Sequence, residues 1–103
     1  MTGKFSNSER LNAMKNLPGW SKVRGKEAIQ KTFTFTSFSA AFAWMTKIAL
    51  RAEQLDHHPE WFNVYNKVTV TLTTHDVGGL SQLDVEMASY MNKTAGRAGK
   101  PKK

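Results

Sequence analysis

The period of the apolar residues changes twice along this chain, and those changes restrict its fold more than any other feature. Ile29, Lys31, Phe33 and Phe35 alternate with Gln30, Thr32 and Thr34, the period of two expected of a strand. From about Ser37 the spacing lengthens. Phe38, Ala41, Phe42, Met45, Ile48, Ala49, Ala52 and Leu55 follow i, i+3, i+4, i+7 steps, the stripe of a helix about five turns long. Pro59 closes that pattern, because proline disfavours the helical region for the residue before it, His58. Residues 61–64 and 67–73 are again aromatic and β-branched around a two-residue turn at Tyr65-Asn66, which predicts a hairpin.

Local signals supply the remaining elements. Ser6 and Glu9 have capping-box spacing, and Leu11, Met14 and Leu17 recur helically until Pro18-Gly19. Residues 20–23 and 28–35 flank the turn-like Arg24-Gly25-Lys26-Glu27, a first hairpin. After Gly78-Gly79, Ser81 and Asp84 form a second capping box between Leu80 and Val85, and Leu83, Met87, Tyr90 and Met91 give a last helix its apolar face. Helices alternating with hairpins predict an α+β domain. Ala40, Ala43 and Trp44 lie off the main stripe of the long helix, where they read either as a surface for another subunit or as scattered surface residues.

With 103 residues, the chain holds one domain, placed at residues 1–92. A formal charge of +7 suggests nucleic acid or an anionic surface, but residues 93–103 carry five bases and no acid. Without them 10 bases face 8 acids, so a nearly neutral body with a basic flexible tail is expected, and neither direct nucleic-acid binding nor membrane attachment. No cysteine is present, which removes disulfide and thiolate chemistry. No secretory signal or membrane span is read, so cytoplasmic residence, with the nucleus as a second site, is the expectation.

Three histidines, His57, His58 and His75, fall within 19 residues of one another. If Tyr65-Asn66 is the turn, Trp61 faces Val70 and, by extrapolation, His58 faces Thr73 and Asp56 faces His75. One rim then carries Glu53, Asp56, His57, His58 and His75 within about 10 Å, at about 5 Å between paired strands. Imidazole titrates near about pH 6.5 and exchanges protons at neutral pH, so acid–base catalysis is one reading. A metal site is another; adjacent histidines diverge and the usual i, i+4 pair is missing, so no metal ligand is assigned. Structural histidines tying helix and strand ends are the third. No phosphate-binding loop, nucleophile elbow or zinc-protease helix is present. Trp61, Phe62 and Tyr65, with Trp20 elsewhere, offer rings for stacking on a flat heterocycle or for a core.

The run Glu53-Gln54-Leu55-Asp56-His57-His58-Pro59-Glu60-Trp61-Phe62, followed by Thr74-His75-Asp76 and Asp84, closely resembles the pterin-4a-carbinolamine dehydratases, also known as dimerization cofactors of a hepatic homeodomain transcription factor. The resemblance covers about residues 6–92 and departs from the family only at the ends and at single positions such as Thr69. It implies a two-layer α+β fold, a four-stranded antiparallel sheet with helices on one face. It implies a dehydratase without cofactor or metal that removes water from a 4a-hydroxytetrahydropterin to give quinonoid dihydropterin, in tetrahydrobiopterin recycling. His57 and His75 would be the acid–base pair, and His58 would bind and orient the pterin. Glu53 would hold the hydrogen-bond network, Pro59 would shape the rim, and Trp20 and Trp61 would border the substrate. Asp84 matches a motif aspartate, for which helix capping is the preferred role. As partners the resemblance implies a homodimer or homotetramer and a homeodomain transcription factor, the alternative function being a module that stabilises that factor's dimers.

Overall fold

A computed structural model describes residues 3–96 of the chain. Its elements are α1 (Asn7–Met14), β1 (Ser21–Lys22), β2 (Ile29–Thr34), α2 (Phe38–Leu55), β3 (Glu60–Val64), β4 (Lys67–Leu72), a 3-10 turn at His75–Val77, and α3 (Gln82–Ala95). The strands form one antiparallel sheet in the order β1-β2-β4-β3. The expected α+β architecture, with four strands and three helices among the described residues, is therefore present.

Both capping boxes expected from the sequence close their helices, and Ser37, to which the sequence reading assigns no cap, closes the third. Ser6 N donates to Glu9 Oε1 (2.8 Å) and Glu9 N to Ser6 Oγ (3.2 Å). Ser37 accepts from Ala40 N at the start of α2, and Asp84 accepts from Ser81 N at the start of α3. These bonds satisfy amides that a helix leaves without partners at its first turn. The far end of α2 stops sooner than Pro59 requires: Asp56 adopts a left-handed conformation (φ 51°) and His57 N donates back to Ala52 O. That reversal points His57 and His58 out of the helix at the edge of the sheet.

Strand alternation separates the two faces of the sheet. Ile29, Phe33, Val68, Val70 and Leu72 point into the core, whereas Gln30, Thr32, Glu60, Phe62 and Val64 are exposed on the other side. All three helices therefore cover one face, and α2 and α3 pack on each other and on the buried strand residues. The turn expected at Tyr65-Asn66 is in place, with Val64 opposite Lys67, Trp61 opposite Val70, and Tyr65 left-handed (φ 53°).

The long helix packs through a stripe shifted from the one expected: Ala41, Ile48 and Ala52 are buried and Met45 and Leu55 pack against the core as read, but Trp44 joins them and Phe38, Phe42 and Ala49 do not. Trp44, read from sequence as part of an outer surface, lies in the core. Its ring centroid is 4.6 Å from that of Phe33 and 5.1 Å from that of Phe35, and its Nε1 donates to Thr94 Oγ1. More than half of this helix's circumference is apolar, so periodicity does not choose the inner face; a tryptophan with both an aromatic pocket and a hydroxyl acceptor does. The large apolar residues that face outward are Phe38, Phe42 and Leu50, and Ala43, read from sequence as outward, is exposed with them. Trp44→Ala should cost about 3–5 kcal/mol in urea unfolding. A loss below about 1 kcal/mol would return Trp44 to the surface.

Helix α3 runs through Ala95, which is buried, so the first residues of the expected basic tail are helical. Residues 97–103, the rest of that tail, lie outside the described residues. Among the described residues no helix is long and apolar enough to cross a membrane.

Candidate active site

The C-terminal end of α2, the start of β3, the turn after β4 and the N-terminus of α3 meet at one end of the sheet. All three histidines are there, each with its Nε2 held by a different carboxylate: His57 by Asp84 (2.7 Å), His58 by Glu53 (2.6 Å) and His75 by Glu60 (3.2 Å).

The first pair is buried. His57 is 7% exposed and Asp84 is fully buried. Oδ1 of Asp84 faces the imidazole, while Oδ2 accepts from Thr74 Oγ1 (2.7 Å) and from Ser81 N (3.0 Å). Thr74 and Ser81 also join hydroxyl to hydroxyl at 2.6 Å. One carboxylate thus ties the end of α2 to the turn after β4 and to the first turn of α3, where the helix dipole favours negative charge. An ionised carboxylate only accepts, so His57 Nε2 donates and the ring's remaining lone pair is on Nδ1. Asp84 therefore does more than cap α3, the role preferred from sequence; its two oxygens serve the helix and the histidine separately.

The other pairs are open to solvent. Glu53 lies in the last turn of α2, and its side chain turns past the left-handed Asp56 to meet His58; the two side chains are 75% and 55% exposed. Solvent screening makes such pairs weak as sources of stability, so their worth lies in orientation. His75 is on the 3-10 turn, and its expected position opposite Asp56 is not realised. The β3–β4 ladder ends at Glu60↔Thr71, because Pro59 has no N–H to extend it and the chain after Leu72 curls into a bridge between Thr74 and Gly79. His75 consequently reaches back to Glu60, a residue to which sequence reading gave no role.

His75 and Glu60 border a cleft of about 360 Å³, walled also by Lys26, Glu27, Thr71 and Thr73. Thr73 Oγ1 donates to Glu27 O (2.8 Å) and so holds the β1–β2 turn over this end of the sheet. Pro59 is half-buried between His58 and Glu60. Among the described residues no group of three histidine, aspartate or glutamate side chains converges as a metal would require.

The two tryptophans are not brought into this arrangement. Trp20 is 6% exposed, its Nε1 donates to Asn92 Oδ1 and its ring meets Phe33 edge-on, so its contacts belong to the core under α3. Trp61 points to the helix side of the sheet, 6.5 Å from the Trp44 ring, away from its neighbour Glu60. A larger concavity, about 660 Å³, lies by Asn16, Lys31, Ser89 and Asn92, and among the described residues no histidine or carboxylate lines it.

Known proteins resemble this chain in sequence and in fold. The sequence profile of the family described as pterin 4 alpha carbinolamine dehydratase matches residues 3–94. A protein of Nitrobacter winogradskyi, provisionally named pterin-4-alpha-carbinolamine dehydratase, is 50% identical over 96% of this chain and 98% of its own. One from Jannaschia sp. with the same provisional name is 53% identical over 92% and 99%. A crystal structure described as a transcriptional coactivator/pterin dehydratase from Brucella melitensis superposes with a TM-score of 0.90, at 52% identity, over 91% of this chain and all of that one. By sequence and by fold, the chain belongs to the pterin-4a-carbinolamine dehydratase family, a family of hydro-lyases.

Proposed function

We propose that this protein removes water from a 4a-hydroxytetrahydropterin, giving quinonoid dihydropterin for tetrahydrobiopterin recycling, through acid–base catalysis by its histidines. The observation that carries this reading is the set of three imidazoles at one end of the sheet, each oriented by its own carboxylate. Hydroxide is a poor leaving group from C4a unless an acid protonates it, and N5 must lose a proton as the C4a–N5 double bond forms. Two imidazoles, one protonated and one neutral, meet both needs. The first gives its proton to the departing hydroxyl, which leaves as water; the second takes the proton from N5. Exchange with solvent then restores the pair.

His57 and His75 are the acid–base pair in this reading. His57 has Nε2 fixed by a buried carboxylate, so its ring orientation is set before substrate arrives. His58, held by Glu53 at the rim, binds and orients the pterin, and Pro59 shapes the adjoining backbone.

The test is the decay of 4a-hydroxytetrahydropterin with purified protein pretreated with a chelator. Acceleration over the spontaneous loss, unchanged by chelator, is expected; no acceleration would sink the enzyme reading, and activity lost to the chelator would restore the metal reading.

A second reading, association with a copy of itself or with a homeodomain transcription factor, is favoured by the exposed pair Phe38 and Phe42 on α2, whose ring centroids are 5.9 Å apart. It is also favoured by the coactivator description of the Brucella melitensis protein. The mass in solution separates a monomer from the dimer or tetramer proposed here.

A further inference from the structure

We infer that Glu60 is a positioning residue for His75, holding the ring in its Nε2–H form and leaving Nδ1 as the nitrogen that exchanges a proton with the pterin. The inference rests on the function proposed above and extends it to a residue outside the histidine and glutamate set read from sequence. Glu60 is the first residue of β3 and pairs with Thr71 in the last rung of the ladder. Paired residues share a face and alternate residues return to it, so Glu60, Thr71 and Thr73 point to the same side of the sheet, where they wall the cleft with His75. The backbone at His75 is anchored at both sides: Thr74 N donates to Gly79 O (2.8 Å) and Gly78 N donates to His75 O (3.0 Å).

The ring itself is 78% exposed, and among the described residues Glu60 is its one hydrogen-bond partner. Rotamer and tautomer of His75 are therefore set by that single contact. Glu27, the other carboxylate of the cleft, lies 3.6 Å from Arg10, and Lys26 is the cleft's remaining charged side chain. Glu60 is thus the acceptor suited to fix His75. It acts on the reaction through the imidazole, as the carboxylate of a hydrolytic triad orients its histidine.

Glu60→Gln keeps the shape but substitutes an amide that can donate as well as accept, so it no longer imposes one tautomer. Nitrogen-15 imidazole spectra at a pH where the ring is neutral should show His75 as Nε2–H in the natural protein and as a tautomer mixture in Glu60→Gln. The same substitution should lower kcat about tenfold with KM changed less than about twofold, the signature of lost orientation without lost binding. Glu60→Asp should recover part of the loss. An unchanged His75 tautomer in Glu60→Gln, or an unchanged kcat in an active enzyme, would overturn the inference. Absence of dehydratase activity in the natural protein would remove the proposed function instead, and the tautomer spectra would still decide whether Glu60 sets the ring.

Discussion

Asp84→Ala is expected to remove about 3–5 kcal/mol of stability, as the loss of one partner from a buried ionic network does. That is a large part of the roughly 5–15 kcal/mol that holds a domain of this kind together. The carboxylate is completely buried and accepts from three groups on three segments: His57 Nε2, Thr74 Oγ1 and Ser81 N. Without it Ser81 N loses its acceptor at the start of α3 and an imidazole N–H is left facing a cavity, although Thr74 and Ser81 keep each other and Ser81 Oγ still accepts from Leu83 N. Urea unfolding measures the loss, and a change below about 1 kcal/mol would show that the network does not hold these segments. Asp84→Asn should be milder for folding and severe for activity. An amide nitrogen turned toward His57 forces Nε2 to accept and moves the ring proton to Nδ1, so kcat should fall about 10²–10⁴-fold.

His57→Ala and His75→Ala should each lower kcat about 10²–10⁴-fold, the usual worth of a positioned acid or base. His58→Ala should act mainly on KM. His57 is walled in by α3 and the turn after β4, so alanine there leaves a small cavity, and a Gln variant that fills it separates chemistry from packing. His75, exposed on its turn, carries no such complication. Stopped-flow decay of the carbinolamine gives kcat and KM for each variant. Equal, KM-only effects at all three positions would assign the histidines to binding alone.

Much of this fold is legible because its boundaries are local. The Ser6/Glu9 and Ser81/Asp84 spacings announce helix starts, and the Tyr65-Asn66 turn sets the register that pairs Trp61 with Val70. Face selection is not local. Phe38 and Phe42 occupy good helical positions and remain exposed, because the site that accepts Trp44 is built by Phe33, Phe35 and Thr94 from other elements. In the site, the clustering of the histidines and the Glu53–His58 pair follow from short sequence distances.

The partners of His57 and His75 do not follow in that way. Asp84 is 27 residues from His57 and carried a signal for a different task, capping; Glu60 meets His75 only because the ladder stops at Thr71. Trp20, which the resemblance would set beside the substrate, has its polar partner, Asn92, 72 residues away across the core.

The most direct test of the account is where a pterin binds, measured by the shifts of assigned amide and imidazole resonances as a stable dihydropterin is titrated in. The account predicts the largest shifts at His57, His58 and His75, with Glu60 and Thr73 beside them. Shifts centred on Lys31, Ser89 and Asn92, around the larger concavity, would contradict it.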